Sequence, residues 1–279
     1  MFRKVKKVIS GKKAVDGAGV HLTRVIGYHD VKDFDPFLLL DSFDSRNPED
    51  YIKGFPWHPH RGIETVTYLI EGHVKHGDSL GNSGNIFGGD CQWMTAGSGI
   101  LHQEMPQVSD LMLGTQLWIN LPSKDKMTKP KYRDITKDNV AVVYEEDVEV
   151  RVISGVYKNT RGAMESEYVK ATFLDIKLSP KSEWIYKTNI DDNVFVFLIC
   201  GEGIFEKDGS EIIPEKSAVL FDRGEDIIIK STEKDLRVFL FSGKALKEEI
   251  AWGGPIVMNT KEELNKAFEE LDNGSFIKK

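Results

Sequence analysis

Short runs of Val, Ile, Leu, Phe, Tyr and Thr, separated by glycine-bearing turns, recur along most of the chain and constrain its fold more than any other feature. These residue types favour extended strands, and several of the runs alternate between apolar and polar positions. The clearest runs are Thr65–Ile70, Leu117–Leu121, Ala141–Tyr144, Val148–Ile153, Ala171–Leu178, Val194–Cys200, Ala218–Phe221 and Leu236–Phe241. Strands at this spacing predict an all-β sandwich or barrel.

One segment near the C-terminus has helical character instead. Thr260 can cap this segment, and Glu263 at the third helical position would complete a capping box. Leu264, Phe268 and Leu271 then recur at helical spacing, and an Asn-Gly pair follows them as a stop signal. We therefore expect one short helix after the strands.

The middle of the chain suggests a division into two domains. Residues 122–139 are polar and charged and contain two prolines, a composition typical of a linker. The 279 residues suit one large domain or two modest ones. We expect an N-terminal domain at residues 1–130 and a C-terminal domain at residues 131–279. The strand-turn-strand patterns of the two halves are only weakly alike.

Charge and cysteine content exclude several classes of protein. The net charge of −7 opposes direct binding to nucleic acid, because the phosphate backbone is also negative. The two cysteines, Cys91 and Cys200, lie far apart and form no CxxC motif, which favours a reducing compartment. The longest apolar run, Val194–Cys200, is too short to span a membrane. We expect a cytoplasmic protein without a membrane partner.

All seven histidines lie within the first 102 residues, so any imidazole site must be built there. His58 and His60 are two residues apart, and so are His102 and Glu104. Residues i and i+2 of a strand point to the same face, so neighbouring strands would bring three nitrogens and one carboxylate oxygen together. A mixed nitrogen and oxygen set without thiolate suits Fe, Mn, Ni or Co better than structural zinc.

Other polar residues near this pattern have competing roles. Glu64 could be a further metal ligand, or it could pair with Arg61 or support a ligand from behind. His73 and His76 follow a glycine turn and are expected at the surface. His21 and His29 have no evident partner and are expected to be structural. Five side chains close in sequence to the pattern could form either the wall of a ligand pocket or plain core: Phe55, Trp57, Met94, Met105 and Trp118.

Five stretches of the sequence together resemble the pirin family. Residues 58–72 resemble its HPHRGFETVTYLLEG motif, and residues 78–84 its DSLGNSG turn. Residues 92–106 are similar to QWMTAGSGIxHxEMP, residues 117–122 to the end of QLWVNLP, and residues 254–260 to GPFVMNT. The resemblance thus extends from the first half of the chain to its last helix.

The resemblance implies two tandem cupin β-barrels, of which only the N-terminal one carries a metal. By motif matching, the metal ligands are His58, His60, His102 and Glu104. The implied cofactor is one divalent metal ion, first of all Fe(II), with Mn, Co, Ni or Zn as alternatives. The general cupin PxG pattern appears here as Thr95-Ala-Gly97, a departure that pirins share.

The resemblance leaves two classes of function open. Some bacterial pirins act as quercetin 2,3-dioxygenases, which open the flavonol heterocycle with O2 and release carbon monoxide. On this reading the chain takes a flavonol-like aromatic substrate, and Glu104 is its catalytic base. Mammalian pirins resemble nuclear, iron-dependent coregulators of transcription, and other pirins bind metabolic enzymes. The alternative is therefore an iron-dependent regulatory protein that binds a protein partner, as a transcription coregulator or a modulator of a metabolic enzyme. A monomer is expected in either case, and a purely structural metal is the third and least favoured reading.

Overall fold

The computed structural model describes residues 1–278, and its contacts divide the chain into two compact units. The N-terminal unit comprises residues 13–28, 37–137 and 246–279. The C-terminal unit comprises residues 1–12, 29–36 and 138–245. Both units are discontinuous in sequence, whereas the division expected between residues 130 and 131 is a single cut and stays a prediction.

Strands dominate the described residues, as expected. The first twelve are β1 (Val5–Ser10), β2 (Lys12–Asp16), β3 (Val20–Ile26), β4 (Phe37–Ser45), β5 (Phe55–His60), β6 (Ile63–Glu71), β7 (His73–Asp78), β8 (Ser83–Phe87), β9 (Cys91–Thr95), β10 (Ile100–Pro106), β11 (Met112–Asn120) and β12 (Lys131–Ile135). The others are β13 (Ala141–Tyr144), β14 (Val148–Ser154), β15 (Val156–Tyr157), β16 (Thr160–Arg161), β17 (Thr172–Leu178), β18 (Glu183–Lys187), β19 (Asp192–Cys200), β20 (Gly203–Ile204), β21 (Ser217–Phe221), β22 (Asp226–Ser231), β23 (Leu236–Lys244), β24 (Ala251–Gly253) and β25 (Ile256–Met258).

Helices are few and short. The α-helices are α1 (Val31–Phe34) and α2 (Lys261–Asp272), and the 3-10 turns are Tyr28–Asp30, Pro48–Asp50, Ser123–Asp125 and Lys137–Asn139. The capping box expected at α2 is present: Thr260 accepts a hydrogen bond from the backbone of Glu263, whose side chain accepts one in return. None of the described helices has the length and apolar character that a membrane span requires.

Two large sheets of the N-terminal unit share one core, and β24 pairs with β25 in the C-terminal segment of the same unit. The larger sheet has the strand order β12-β9-β6-β11-β4-β3-β2, and the smaller one β5-β10-β7-β8. Leu69 and Met112 from the larger sheet pack in the same buried cluster as Val74 and Ile86 from the smaller sheet. The two sheets therefore face each other, and their inner faces enclose the space into which the inward side chains of β5 and β10 point.

The segment predicted to be a linker belongs in part to this unit. Residues 131–135 form β12, which pairs with β9 in antiparallel register at the edge of the larger sheet. The expectation of a linker is therefore wrong for these five residues. Four of the five side chains are partly or fully exposed and only Ile135 is buried, a pattern that suits an edge strand as well as a linker.

The C-terminal unit repeats the two-sheet plan with a filled interior. Its sheets have the orders β1-β21-β19-β23-β17-β14-β13 and β18-β22-β20, and β15 pairs with β16. Val150 and Val196 of the larger sheet pack in one buried cluster with Trp184 and Ile227 of the smaller sheet. The only histidine of this unit is His29, whose side chain is exposed. This interior therefore has no imidazole with which to hold a metal.

Candidate metal centre

The smaller sheet of the N-terminal unit brings three of the predicted ligands together. His102 on β10 lies directly opposite His58 on β5, and His60 lies two residues further along β5 on the same face. Ring nitrogens of His58, His60 and His102 all lie within 4.8 Å of one another. The convergence expected from the i, i+2 spacing is thus present for the three imidazoles, which can hold a metal ion.

The separation of two ring nitrogens matches a shared ion. Nε2 of His58 lies 3.1 Å from Nε2 of His60. Two nitrogens that are each ~2.1 Å from one ion, and that subtend a right angle at it, lie ~3 Å apart. The ring centroids of His58 and His102 are 4.3 Å apart, so the third imidazole adjoins the same point.

Backbone carbonyls fix the orientation of two of these rings. Nδ1 of His58 lies 2.9 Å from the carbonyl oxygen of Pro56, and Nδ1 of His60 lies 3.0 Å from that of Pro255. A carbonyl oxygen only accepts hydrogen bonds, so each Nδ1 must carry the proton. In the neutral rings both Nε2 atoms then present lone pairs to each other, an arrangement that a cation between them stabilises.

Burial keeps the deeper two imidazoles neutral. Desolvation, aided by His58, lowers the pKa of His60 to about 3. Desolvation, followed by the nearby imidazoles, also lowers the pKa of His102 well below its ordinary value. A metal ligand must be unprotonated, so both rings are ready to bind at neutral pH.

His102 gives a second indication of a metal. It is fully buried, and neither of its ring nitrogens has a hydrogen-bond partner among the described residues. A buried polar nitrogen without a partner costs about 1–3 kcal/mol. A metal ion would supply the missing partner, and the donor set around His102 therefore fits one.

Glu104 lies on the same face of β10 as His102 but outside the group of three imidazoles. Burial alternates along β10, with His102 and Glu104 both inward. The carboxylate accepts hydrogen bonds from Oγ1 of Thr67 at 2.9 Å and from Nε2 of Gln116 at 2.7 Å. These donors hold Glu104 as an inward-facing acceptor. Its role as a fourth ligand stays a prediction.

Glu64 also lies outside the group formed by the three imidazoles. It is fully buried on β6 and accepts a hydrogen bond from Oγ1 of Thr95 at 2.7 Å. Arg61, which could have been its partner, forms a 2.7 Å ion pair with Glu270 of α2. The role of Glu64 as a further metal ligand or as a support behind one stays a prediction.

An open cleft of about 700 Å³ adjoins the centre on the side of His58 and His60. This volume is typical of sites for drug-sized ligands. Of the five side chains proposed as pocket wall or core, Phe55, Trp57 and Trp118 line the cleft. Met94 and Met105 are not among the lining residues described. The ring centroids of Trp118 and His60 lie 5.0 Å apart, so an aromatic wall begins beside the centre.

Several residues of the cleft were not identified from the sequence. Trp252 and Pro255 contribute to its wall, and the ring of Trp252 lies 5.8 Å from that of Trp118. Arg24 and Asp41, a bidentate pair with N–O distances of 2.9 and 2.7 Å, also line it. Burial raises the pKa of Asp41 to about 6, although Arg24 opposes this shift. The resemblance of residues 254–260 to the GPFVMNT stretch of pirins was the one available signal for the C-terminal contribution.

The expectation that His76 lies at the surface is wrong. His76 is buried, its Nδ1 lies 2.8 Å from the hydroxyl of Tyr132, and the two rings stack at 4.9 Å. The partner sits on β12, within the segment taken for a linker, and for that reason the sequence did not reveal it. His73 is partly exposed and stacks on Phe87 at 4.5 Å.

Comparisons with known proteins agree with this architecture. A family model described as pirin matches residues 19–119, and one described as pirin C-terminal cupin domain matches residues 173–277. A Pseudomonas aeruginosa protein named "Putative quercetin 2,3-dioxygenase" is 42% identical, and the match covers 98% of both chains. Human pirin is 36% identical over 97% of this chain and 93% of its own.

Solved structures confirm the two predicted cupin barrels. The crystal structure of a quercetin 2,3-dioxygenase from Acinetobacter baumannii matches with a TM-score of 0.90 and 30% identity over 99% of both chains. The bacterial pirin YhhW from Escherichia coli, solved in complex with nickel(II), shares the fold with a TM-score of 0.66. It is 19% identical, and the match covers 86% of this chain and 99% of that one.

Proposed function

Because this chain belongs to the pirin family, we propose that it is a metal-dependent dioxygenase that opens the heterocycle of a flavonol such as quercetin. One observation carries the proposal: two of three converging imidazoles stand in the wall of an aromatic-lined cleft of about 700 Å³. The names of the Pseudomonas and Acinetobacter relatives support the same reaction.

The proposed cofactor is one divalent ion, with Fe(II) as the first choice and Mn, Co, Ni or Zn as alternatives. His58, His60 and His102 would hold it, with Glu104 as the fourth ligand. When bound, such an ion would lower the pKa of the flavonol 3-hydroxyl and bring it beside dioxygen. The reaction needs no further reductant, since both oxygen atoms enter the ring-opened product and one ring carbon leaves as carbon monoxide.

The cleft supplies the binding surface for a flat aromatic substrate. Trp57, Trp118 and Trp252 line it, and Trp118 adjoins His60. Indole rings can stack on flavonol rings and exclude water from the reacting face. The substrate would enter from the side on which His58 is partly exposed.

Glu104 is proposed as the base that takes the proton of the 3-hydroxyl. Nδ1 of His58 and of His60 each donate to a carbonyl oxygen, so a metal-bound ring there has no free lone pair. Glu104 keeps lone pairs while Thr67 and Gln116 hold its carboxylate in place. Glu104→Gln should therefore lower kcat more than metal affinity, and an equal loss of both would contradict the role as base.

The decisive experiment is anaerobic reconstitution with Fe(II), followed by quercetin and O2. Loss of flavonol absorbance with release of carbon monoxide is expected, and His60→Ala should abolish both. His21→Ala is a matched control, because His21 is exposed and approaches Asp50 instead of the centre. Absence of turnover with Fe, Mn, Co or Ni demonstrably bound would overturn the dioxygenase proposal.

The alternative function, an iron-dependent regulatory protein, differs from an oxygenase in the solvent access that its metal centre needs. In a regulatory protein, the metal can be buried away from solvent, because only its oxidation or binding state has to change the surface that a partner binds. In an oxygenase, the metal must be accessible to the substrate. His58 is only partly buried and opens onto the cleft. This access supports the dioxygenase over an iron-dependent regulator.

A further inference from the structure

A small second cavity lies inside the N-terminal unit, on the side of Glu104. Its volume is about 20 Å³. Eight of its lining residues are apolar or aromatic: Val20, Phe43, Tyr51, Phe55, Leu69, Val74, Pro106 and Met112. The three polar ones are Thr67, Glu104 and Gln116, which meet at one side.

This cavity adjoins the cleft without being part of it. Phe55 and Gln116 line both spaces, so they form the partition between them. Glu104 lines the small cavity but not the cleft, whereas His58 and His60 line the cleft but not the small cavity. The proposed reaction centre therefore has the large cleft beside His58 and His60 and the small apolar cavity beside Glu104.

The three polar side chains of the cavity wall are hydrogen-bonded to one another, and almost all of the surface that faces the cavity is apolar. The carboxylate of Glu104 accepts from Thr67 and Gln116, and the amide of Gln116 also lies 3.2 Å from Oγ1 of Thr67. A buried water needs two to four polar partners, and the remaining wall offers mainly carbon atoms. Cavities of this character stay dry and bind small apolar molecules.

The size of the cavity restricts its occupant further. A volume of ~10–15 Å³ on this measure holds one molecule of the size of water. The 20 Å³ here thus admit one diatomic molecule and exclude a flavonol, which needs the cleft. Dioxygen is the small apolar molecule that the proposed reaction consumes.

We propose that this cavity is a dioxygen-binding site that supplies the reaction centre from behind Glu104. The inference rests on the proposed function for its role, and on the size and lining of the cavity for the binding itself. The aromatic substrate would fill the cleft, while dioxygen approaches through the core instead of competing for the same entrance.

Binding is tested without catalysis, by methyl NMR of the Zn(II)-loaded protein under dioxygen pressure. Dissolved dioxygen is paramagnetic and speeds relaxation of the methyl groups that it visits. The increase in relaxation rate that dioxygen causes should be at least threefold larger for the methyls of Val20, Leu69 and Val74 than for those of Val196 and Leu198. The latter two are equally buried, in the C-terminal core. Equal increases in relaxation rate in the two sets of methyls would overturn the proposed dioxygen site.

Supply to the centre is tested with Val74→Leu, which adds one methylene group to the cavity wall. Val196→Leu is the matched control for overpacking a buried strand. The cavity variant should lose the dioxygen effect and raise the KM for O2 about fivefold, with the KM for flavonol unchanged. An unchanged KM for O2 would overturn the supply role. If the enzyme shows no turnover at all, the proposed function fails while the NMR result still decides the binding site.

Discussion

Nδ1 of His60 lies 3.0 Å from the carbonyl oxygen of Pro255, which follows it by 195 residues. The carbonyl obliges His60 to donate from Nδ1, so Nε2 turns towards the other imidazoles. The C-terminal segment at residues 246–279 belongs to the same compact unit. It therefore orients a proposed ligand in addition to forming part of the cleft.

This relationship predicts that Gly254→Ala weakens metal binding. Gly254 has φ of +54°, a region that an L side chain avoids, although a Cβ there would meet nothing within 4 Å. Relief of the strain should displace the adjoining carbonyl of Pro255 from His60. Loss of such an orienting bond typically costs 10–100-fold in metal affinity, and about 10-fold is expected in a chelator competition assay.

Gly274→Ala is the matched control for this substitution. Gly274 has φ of +76° and equally open surroundings, but it follows the last helix and does not line the cleft. Both variants should lose about 1 kcal/mol of stability, and only Gly254→Ala should change the metal affinity. Equal affinities in the two variants would contradict an orienting role for Pro255.

A second tie of the C-terminal segment runs through Arg61. This buried guanidinium donates to the carbonyls of Ser98 and Phe276, both at 2.8 Å, and pairs with Glu270 at 2.7 Å. Arg61→Met should lower the free energy of unfolding in urea denaturation by about 1–3 kcal/mol for each of the two buried carbonyl oxygens that it leaves without a donor, while Glu270 keeps its pair with Lys278. Arg223→Met removes an exposed pair with Asp191 and should change little.

If both arginine variants lowered the free energy of unfolding equally, the contacts of Arg61 with the C-terminal segment would be no stronger than a surface ion pair. The expected difference follows from solvent exposure: the side chain of Arg61 is 2% exposed and that of Arg223 is 73% exposed. Water screens the outer pair and can solvate either partner when the other is removed.

The three-histidine centre could be predicted because its geometry is local. Strand periodicity alone places His58 with His60, and His102 with Glu104, on shared faces. One further assumption, that β5 and β10 are neighbouring strands, is enough to bring the two pairs of residues together. The structure confirms this assumption, since His102 lies opposite His58. The strand pattern and the capping box at Thr260 are likewise local signals.

The rest of the site depends on contacts that no local pattern encodes. Pro255 reaches His60 across 195 residues, and Gln116 reaches Glu104 from a different sheet. Tyr132 buries His76 through an edge strand whose polarity indicated a linker. Period-two alternation says which face a residue occupies, but not which strand lies across the core from it.

His102 allows the metal to be tested through stability. Its ring nitrogens have no hydrogen-bond partners among the described residues, so His102→Leu should not destabilise the metal-free protein and should stabilise it by about 1–3 kcal/mol. A 100-fold excess of Ni(II) over its Kd should stabilise the wild type by ~2.7 kcal/mol and the variant not at all. Thermal unfolding with and without Ni(II) measures both effects.

His76→Leu is the control for the same substitution at another buried histidine. Its Nδ1 shares a hydrogen bond with Tyr132, so its loss should destabilise the metal-free protein by about 1–3 kcal/mol. The stabilisation by Ni(II) should persist. A stabilisation that survives in His102→Leu would show that the ion binds elsewhere.

Lys126 is 2% exposed, and its ammonium donates to the carbonyls of Gly62 and Val257 and to Oδ1 of Asn120. Burial lowers its pKa from 10.5 to about 7. Between these values the unfolded chain holds a proton that the folded protein has released, so the free energy of unfolding should rise with pH across that window. Its contribution should approach ~1.4 kcal/mol per pH unit and be absent from Lys126→Met.

Urea denaturation from pH 7 to pH 10 would measure this slope as the difference between wild type and Lys126→Met. Subtraction removes the titration of all other groups, which the two proteins share. Lys181→Met, at a side chain that is 68% exposed, should leave the wild-type slope intact. Parallel profiles for wild type and Lys126→Met would mean that the three oxygen acceptors keep the buried ammonium charged, so that hydrogen bonding outweighs desolvation at this lysine.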